Sequence, residues 1–416
     1  MISRTVRGTD PGGGTGSKGS KASGQGSGRE NGDRAGKRPK IGKYQLAIAI
    51  IVFEIGSTPM FLLGINAKQN AWLSMLIGAT AGLIVLLPCL YLQRLSGDAD
   101  WTDMLRRQLG RVFGGFIAAL YVVLLAYEAM RNVRDFGAVA QAILLPQTPM
   151  WFTMGIVTAI ACYAVRSGII VTFRMVELFF PAILFSTVMI ILLFFIAGLP
   201  DHHRLLPFLD NGIGPVIGQA IPELISFPFG QVFVFLLFWR YAGEPDKVVR
   251  TSVLAYTSVS VFLTGMSALT LSILGANVAA IMSYPFIEAV QLIQVAGILE
   301  RLDIVVTLVV FFGLFVKMTF FYMASNQIAS SITGLSGRTC AIVIGAVIYA
   351  AAFLEPNQTF HIWLGLQVQP QYAWIYQAIV PLVVLAIALL RRRGKEGAGS
   401  GPGAGTDAGA SGSAGS

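Results

Sequence analysis

Apolar stretches separated by short polar clusters run from Tyr44 to Leu390. A helix needs about 20 such residues to cross a hydrocarbon core of roughly 30 Å. Barrel strands would instead alternate apolar and polar residues over segments of about 10, and runs such as Val188 to Ala197 show no such alternation. The pattern predicts ten transmembrane helices, at about residues 44–65, 70–92, 113–145, 150–165, 174–198, 216–240, 251–275, 302–332, 339–354 and 371–390. An eleventh apolar segment, Ala276 to Leu299, carries Pro285, Glu288, Gln291 and Gln294, which suits an external re-entrant or interfacial segment better than a span.

Two of the ten spans are interrupted. The first reads Glu54, Ile55, Gly56, Ser57, Thr58, Pro59 in mid-helix, and the sixth reads Pro222, Glu223, Leu224, Ile225, Ser226, Phe227, Pro228, Phe229, Gly230. Proline removes a donor and clashes with the preceding turn, and glycine tolerates unusual torsions, so both helices should unwind there. Glu54, ten residues into its span, should lie about 15 Å deep. Unwound backbone survives in lipid only where it lines a cavity or is buried in protein. Spans one and six are equivalent if the helices form two groups of five, and because five is odd the second group is inverted. In such inverted repeats, paired discontinuous helices build a ligand site at the midplane.

Half-helix N-termini offer free N–H groups and the opposing ends offer carbonyls, so the expected ligand is a zwitterion. Gly56, Ser57 and Thr58 are candidate donors, while Phe227 and Phe229 would wall an apolar pocket, beside Pro228 and Gly230. Close helix packing is the alternative role for Gly56 and Gly230. Ionisable residues within spans must face protein or water, which singles out Glu54, Glu128, Glu223 and Lys317 as buried charges with a coupling role. Lys317 would act as a fixed cation or pair with a carboxylate. Tyr127 on the third span and Thr319 and Tyr322 on the eighth would complete the wall, with helix packing as the alternative for each.

A composition 55% hydrophobic and only 12% charged, with a mean hydropathy of +0.68, lies outside the soluble range. Of the 30 Lys and Arg residues, 24 fall in segments that are cytoplasmic if both termini are inside, as the positive-inside rule favours. The six others are Lys68, Arg131, Arg134, Arg204, Arg301 and Lys317. The net charge of +9 therefore matches membrane topology and anionic headgroups, and argues against nucleic acid. Residues 1–43 and 394–416 are Gly-, Ser- and Ala-rich and read as disordered cytoplasmic tails flanking a membrane domain at 44–393. No apolar signal core precedes Tyr44.

Cys89, Cys162 and Cys340 form no CxxC pair and read as free thiols. His202, His203 and His361 read as solvated residues of external loops, with no carboxylate or cysteine at ligand spacing, so neither a metal nor any cofactor is expected. Neither a GxGxxG fingerprint nor a P-loop is present. No nucleophile-and-base constellation is found, and the chain is not expected to be an enzyme.

The stretches FEIGSTPMFLLGINAKQNAW (Phe53 to Trp72), PELISFPFGQVFVF (Pro222 to Phe235) and ERLD (Glu300 to Asp303) resemble spore germination proteins of the GerAB type. The likeness covers about residues 41–393. It implies the LeuT-like fold of the amino acid–polyamine–organocation superfamily and the B subunit of a germinant receptor. Such a subunit would sit in the spore inner membrane, recognise a nutrient such as an amino acid, and work with A and C subunits. Ligand contact would then fall to Gly56, Ser57, Thr58, Phe227, Pro228 and Gly230, and more distantly to Tyr127, Thr319 and Tyr322. The long Gly-rich tails depart from the family pattern. The leading expectation is a nutrient sensor. A proton-coupled amino-acid permease using Lys317, Glu54 or Glu223, and a ligand-free scaffold for the other subunits, are the alternatives.

Overall fold

A computed structural model describes residues 40–210, 212–293 and 302–398. Most of both predicted tails, and Gln294, Glu300 and Arg301, lie outside the described residues. The described chain is helical. Among the described residues, eight helices are long and apolar enough to cross a membrane, and two shorter elements complete the ten expected spans: the interrupted first helix and the 15-residue ninth.

The spans are, in order, α1 (Lys43–Ile55), α2 (Ala71–Ser96), α4 (Arg111–Val139), α5 (Met150–Ser167), α6 (Ile169–Ile196), a composite sixth span opened by α7 (Gly214–Gln219), α8 (Val248–Leu274), α11 (Leu302–Thr333), α12 (Gly337–Ala351) and a composite tenth formed by α13 (Gln358–Trp363), α14 (Pro370–Trp374) and α15 (Val380–Ala398). Three short helices lie between spans. One is α3 (Trp101–Leu109), and the others are α9 (Ala276–Ile281) and α10 (Pro285–Gln291) in the segment expected not to span. Side-chain caps start several of these helices. Asp100 accepts from Asp103 N at 2.7 Å ahead of α3, and Asn357 accepts from Phe360 N at 2.8 Å ahead of α13, each satisfying an otherwise orphaned N–H.

The first span stops where predicted. After Ile55 the backbone turns at Gly56 (φ 28°, ψ −115°), a left-handed torsion that a side chain resists. Thr58 Oγ1 donates to Glu54 O at 2.7 Å and caps the end. A single turn, Thr58–Met60, follows, and then the tighter turns of Ile65–Asn70. In the sixth span Ile221 is non-helical (φ −128°, ψ 116°), and the Ile221–Pro222 and Phe227–Pro228 peptides are cis. A buried 3₁₀ stretch, Phe229–Leu237, continues the span. The eighth span runs against the first break: a Cβ on Gly313 would stand 2.6 Å from Gly56 O, and one on Gly56 would stand 2.6 Å from Lys317 Cδ. Both glycines are there because backbone and side chain leave no room for more.

Candidate functional site

The two breaks meet at one narrow cavity of about 20 Å³, walled by Ser57 and Phe61 of the first span, Phe227 and Gln231 of the sixth, Glu128, Arg131, Asn132 and Asp135 of α4, and Gly365, Leu366 and Gln369 of the tenth. Ser57, Phe227 and Glu128 are the sequence candidates it brings together. Phe227 was expected to wall an apolar pocket, but most of this wall is polar. A second cavity, also of about 20 Å³, lies across the first break and is mainly apolar, with Pro59, Leu62, Met75, Leu263, Met266 and Phe286 among its walls.

Glu128 is the centre of the polar wall. One carboxylate oxygen accepts from Gln231 Nε2 at 3.0 Å, and the other accepts from Tyr376 OH at 2.6 Å and from Gln369 Nε2. Asn132 Nδ2 donates to the backbone carbonyl of Glu128 at 2.8 Å. Beside it lies a buried charge cluster. His361 has one ring nitrogen 2.9 Å from Asp135 Oδ1 and the other against Glu355 Oε2. Arg134 Nε lies 3.5 Å from the same Glu355 oxygen and its guanidinium donates to Ala352 O at 2.5 Å. Arg131 donates to His361 O at 3.1 Å, and a side chain at Gly365 would overlap the Arg131 guanidinium.

This cluster corrects the sequence reading. His361 is fully buried in α13 and is no solvated loop residue. Arg131, Arg134 and Asp135, on adjacent turns of one apolar helix, carried the signal, because such residues at membrane depth need partners. The partners themselves lie 218 to 230 residues away in sequence. His202 and His203 are exposed as expected, but a carboxylate does accompany them: Asp201 brings a ligand atom within 4.8 Å of theirs. That carboxylate is engaged with His203 N at 2.9 Å and Arg204 at 3.7 Å.

Glu54 and Lys317 form the opposite arrangement. Both are fully buried beside the first break, yet neither carboxylate oxygen of Glu54 nor the Lys317 ammonium has a hydrogen-bond partner. The ion pair considered for Lys317 is not formed. Its ammonium instead lies 4.4 Å from the Phe227 ring centroid and 5.5 Å from that of Phe53, a cation–π arrangement. Glu223 Oε1 accepts from Gly64 N at 3.3 Å and so ties the sixth span to the far half of the first.

The remaining candidates point elsewhere. Phe229 packs edge-on to Tyr256 of α8, with ring centroids 6.1 Å apart. Thr319 donates to Phe315 O of its own helix at 2.6 Å. Tyr322 donates to Ala341 O of α12. Tyr127 is half-buried, Pro228 is buried, and Gly230 allows the Gln377 side chain to approach, since a Cβ there would lie 2.6 Å from its Oε1. At the end of the bundle where α1 begins, Ile41 exchanges backbone hydrogen bonds with Tyr241 and Gly243, and Asp100 pairs with Arg240 at 3.6 Å. These contacts tie α3 and the segment preceding α1 to the end of the sixth span.

Ten spans with paired breaks around a central cavity define a multi-pass membrane protein of the LeuT-like fold, a five-plus-five inverted repeat. The structure is similar to MhsT in complex with L-phenylalanine (TM-score 0.63, 12% identity, 85% of this chain and 90% of that one). It is also similar to a substrate-bound, outward-open Na⁺-coupled sialic acid symporter (TM-score 0.55, 11% identity, 85% and 90%). Within that class the chain belongs to the spore germination protein family, whose profile matches residues 40–361. Among its relatives in Bacillus subtilis (strain 168) are spore germination protein KB, 26% identical over 86% of this chain and 97% of that protein, and spore germination protein A2, 25% identical over 70% and 78%.

Proposed function

We propose that this chain is the nutrient-sensing B subunit of a germinant receptor, which binds a small zwitterion such as an amino acid between the two helix breaks and thereby triggers germination. The meeting of both breaks at one cavity carries the reading. Ser57 supplies a donor for a ligand carboxylate beside Gly56, Thr58 caps the broken end through Glu54 O, and Phe227, Pro228 and Gly230 shape the facing turn. Binding favours one arrangement of the broken helices, and A and C partner subunits read it, in a spore inner membrane with both termini of this chain in the cytoplasm. Titration of the purified receptor, assembled with its partners, against amino acids tests the reading. Saturable binding that Gly56→Trp abolishes, together with loss of germination, is the expected result; intact germination in that variant sinks it.

One observation favours a second reading, a proton-coupled permease: Glu54 and Lys317 are buried without hydrogen-bond partners at the break of a fold shared with a Na⁺-coupled symporter. Proteoliposomes separate the two, because only the permease accumulates a labelled amino acid against a gradient.

A further inference from the structure

The hydrogen bonds of Glu128 fix which way two amide side chains face. A carboxylate and a backbone carbonyl are acceptors only. The amide nitrogen of Gln231 must therefore turn towards the Glu128 carboxylate at 3.0 Å, and that of Asn132 towards the Glu128 carbonyl at 2.8 Å. Both amide oxygens are then committed to the opposite side. Asn132 Oδ1 and Gln231 Oε1 have no partner, although their residues are 5% and 1% exposed and both wall the cavity. A buried acceptor left unmade is costly, and a ligand donor relieves that cost.

We infer that the cavity selects a small hydrophilic amino acid whose side chain donates hydrogen bonds, with Asn132 Oδ1 and Gln231 Oε1 as the acceptors that read it. This rests on the proposed ligand site and adds the class of ligand. The other charges on the wall support it. Glu128 and Asp135 repel an acidic side chain. Arg131, the one cation among the walling residues, donates to His361 O and lies in the field of the same two carboxylates, which offset its charge. Lys317, its ammonium over the Phe227 ring, is not among the walling residues. Only Phe61, Leu366 and Phe227 offer apolar surface, too little to reward an aliphatic side chain for stripping water from seven polar or charged neighbours.

Near-isosteric probes test this on the full-length protein in detergent: L-asparagine, L-leucine and L-aspartate as one set, L-threonine and L-valine as another. L-Asparagine should bind about tenfold to a hundredfold more tightly than L-leucine and L-aspartate, and L-threonine at least about tenfold more tightly than L-valine. Glu128→Gln keeps the size of the side chain but can donate, so Gln231 is free to turn its NH₂ outward. In that variant the asparagine-to-aspartate ratio should fall towards one. Tighter binding of leucine, valine or aspartate to the wild type overturns the inference while leaving an amino-acid site in place. A ratio unchanged in folded Glu128→Gln also overturns it. Should none of the twenty L-amino acids bind the wild-type protein, alone or with its partner subunits, the ligand site itself is refuted and the inference falls with it. If Glu128→Gln does not fold, the wild-type ratios decide.

Discussion

On α4 and the tenth span the buried ionisable groups are tied into one network, with His361 between Asp135 and Glu355, Arg134 beside Glu355, and Glu128 accepting from three side chains. On the first and eighth spans Glu54 and Lys317 are as deeply buried and have no hydrogen-bond partners. Both helix pairs border the same break. A satisfied network fixes the elements it joins. An unpartnered charge gives its helix a reason to move as soon as water or a ligand reaches it. The contrast separates a wall whose buried polar groups hold one another from a hinge, the first break, whose buried ionisable groups lack hydrogen bonds.

Removing a member of the network should have the largest effect. Asp135→Ala takes from His361 one of its two carboxylate partners and from Arg131 a neighbouring opposite charge, and stripping one partner from a buried pair typically costs about 3–5 kcal/mol. Unfolding of the purified protein in mixed micelles with rising SDS should show that loss. A cost near zero would mean the cluster is hydrated and places no constraint on α4 and α13. Next comes Gly56→Ala. The new methyl meets Lys317 Cδ and Phe53 O at a backbone torsion unfavourable to side chains, so a loss of about 1–3 kcal/mol is expected. Nutrient response should fall further than stability, because the strain lands on the break itself.

How legible each region is from the sequence follows the same division. The breaks announce themselves locally: Gly56, Pro59, Pro222, Pro228 and Gly230 act through torsions and missing donors that depend on no distant residue. The ten spans and the pairing of one with six are readable for that reason. The network is not local. Asp135 and His361 are separated by 226 residues, and nothing in the run FLEPNQTFHIW tells an exposed histidine from one folded back into the bundle. The polarity of the cavity is hidden likewise, because Gln231, Gln369 and Asn132 matter only once Glu128 gathers them. Tyr322 and Phe229 show the converse: the right helix does not fix the face, and both turn away from the cavity.

Lys317→Met probes the hinge and should have the opposite sign. Methionine fills a similar volume and removes an ammonium that has no hydrogen-bond partner, so stability in the same SDS titration should rise by roughly 1–3 kcal/mol. Germination in response to nutrient should nevertheless be lost. A destabilised variant would show that Lys317 is paired in the membrane, and would remove the distinction between wall and hinge.

The smallest effect is expected at Tyr322, and it sharpens the boundary of the site. The hydroxyl donates to Ala341 O on α12, and the ring packs against Gly345, so its contacts lie between the eighth and ninth spans. Tyr322→Phe deletes one hydrogen bond and leaves Ala341 O in place, at a cost of about 0.5–1.5 kcal/mol. Nutrient concentration for half-maximal germination should not move. A shift of tenfold or more would mean that the eighth span carries the ligand signal through its far face to α12. The responsive part of the molecule would then extend beyond the first break to the face that packs α12, and Lys317 would be one point on a moving helix, with no separate role as an isolated trigger.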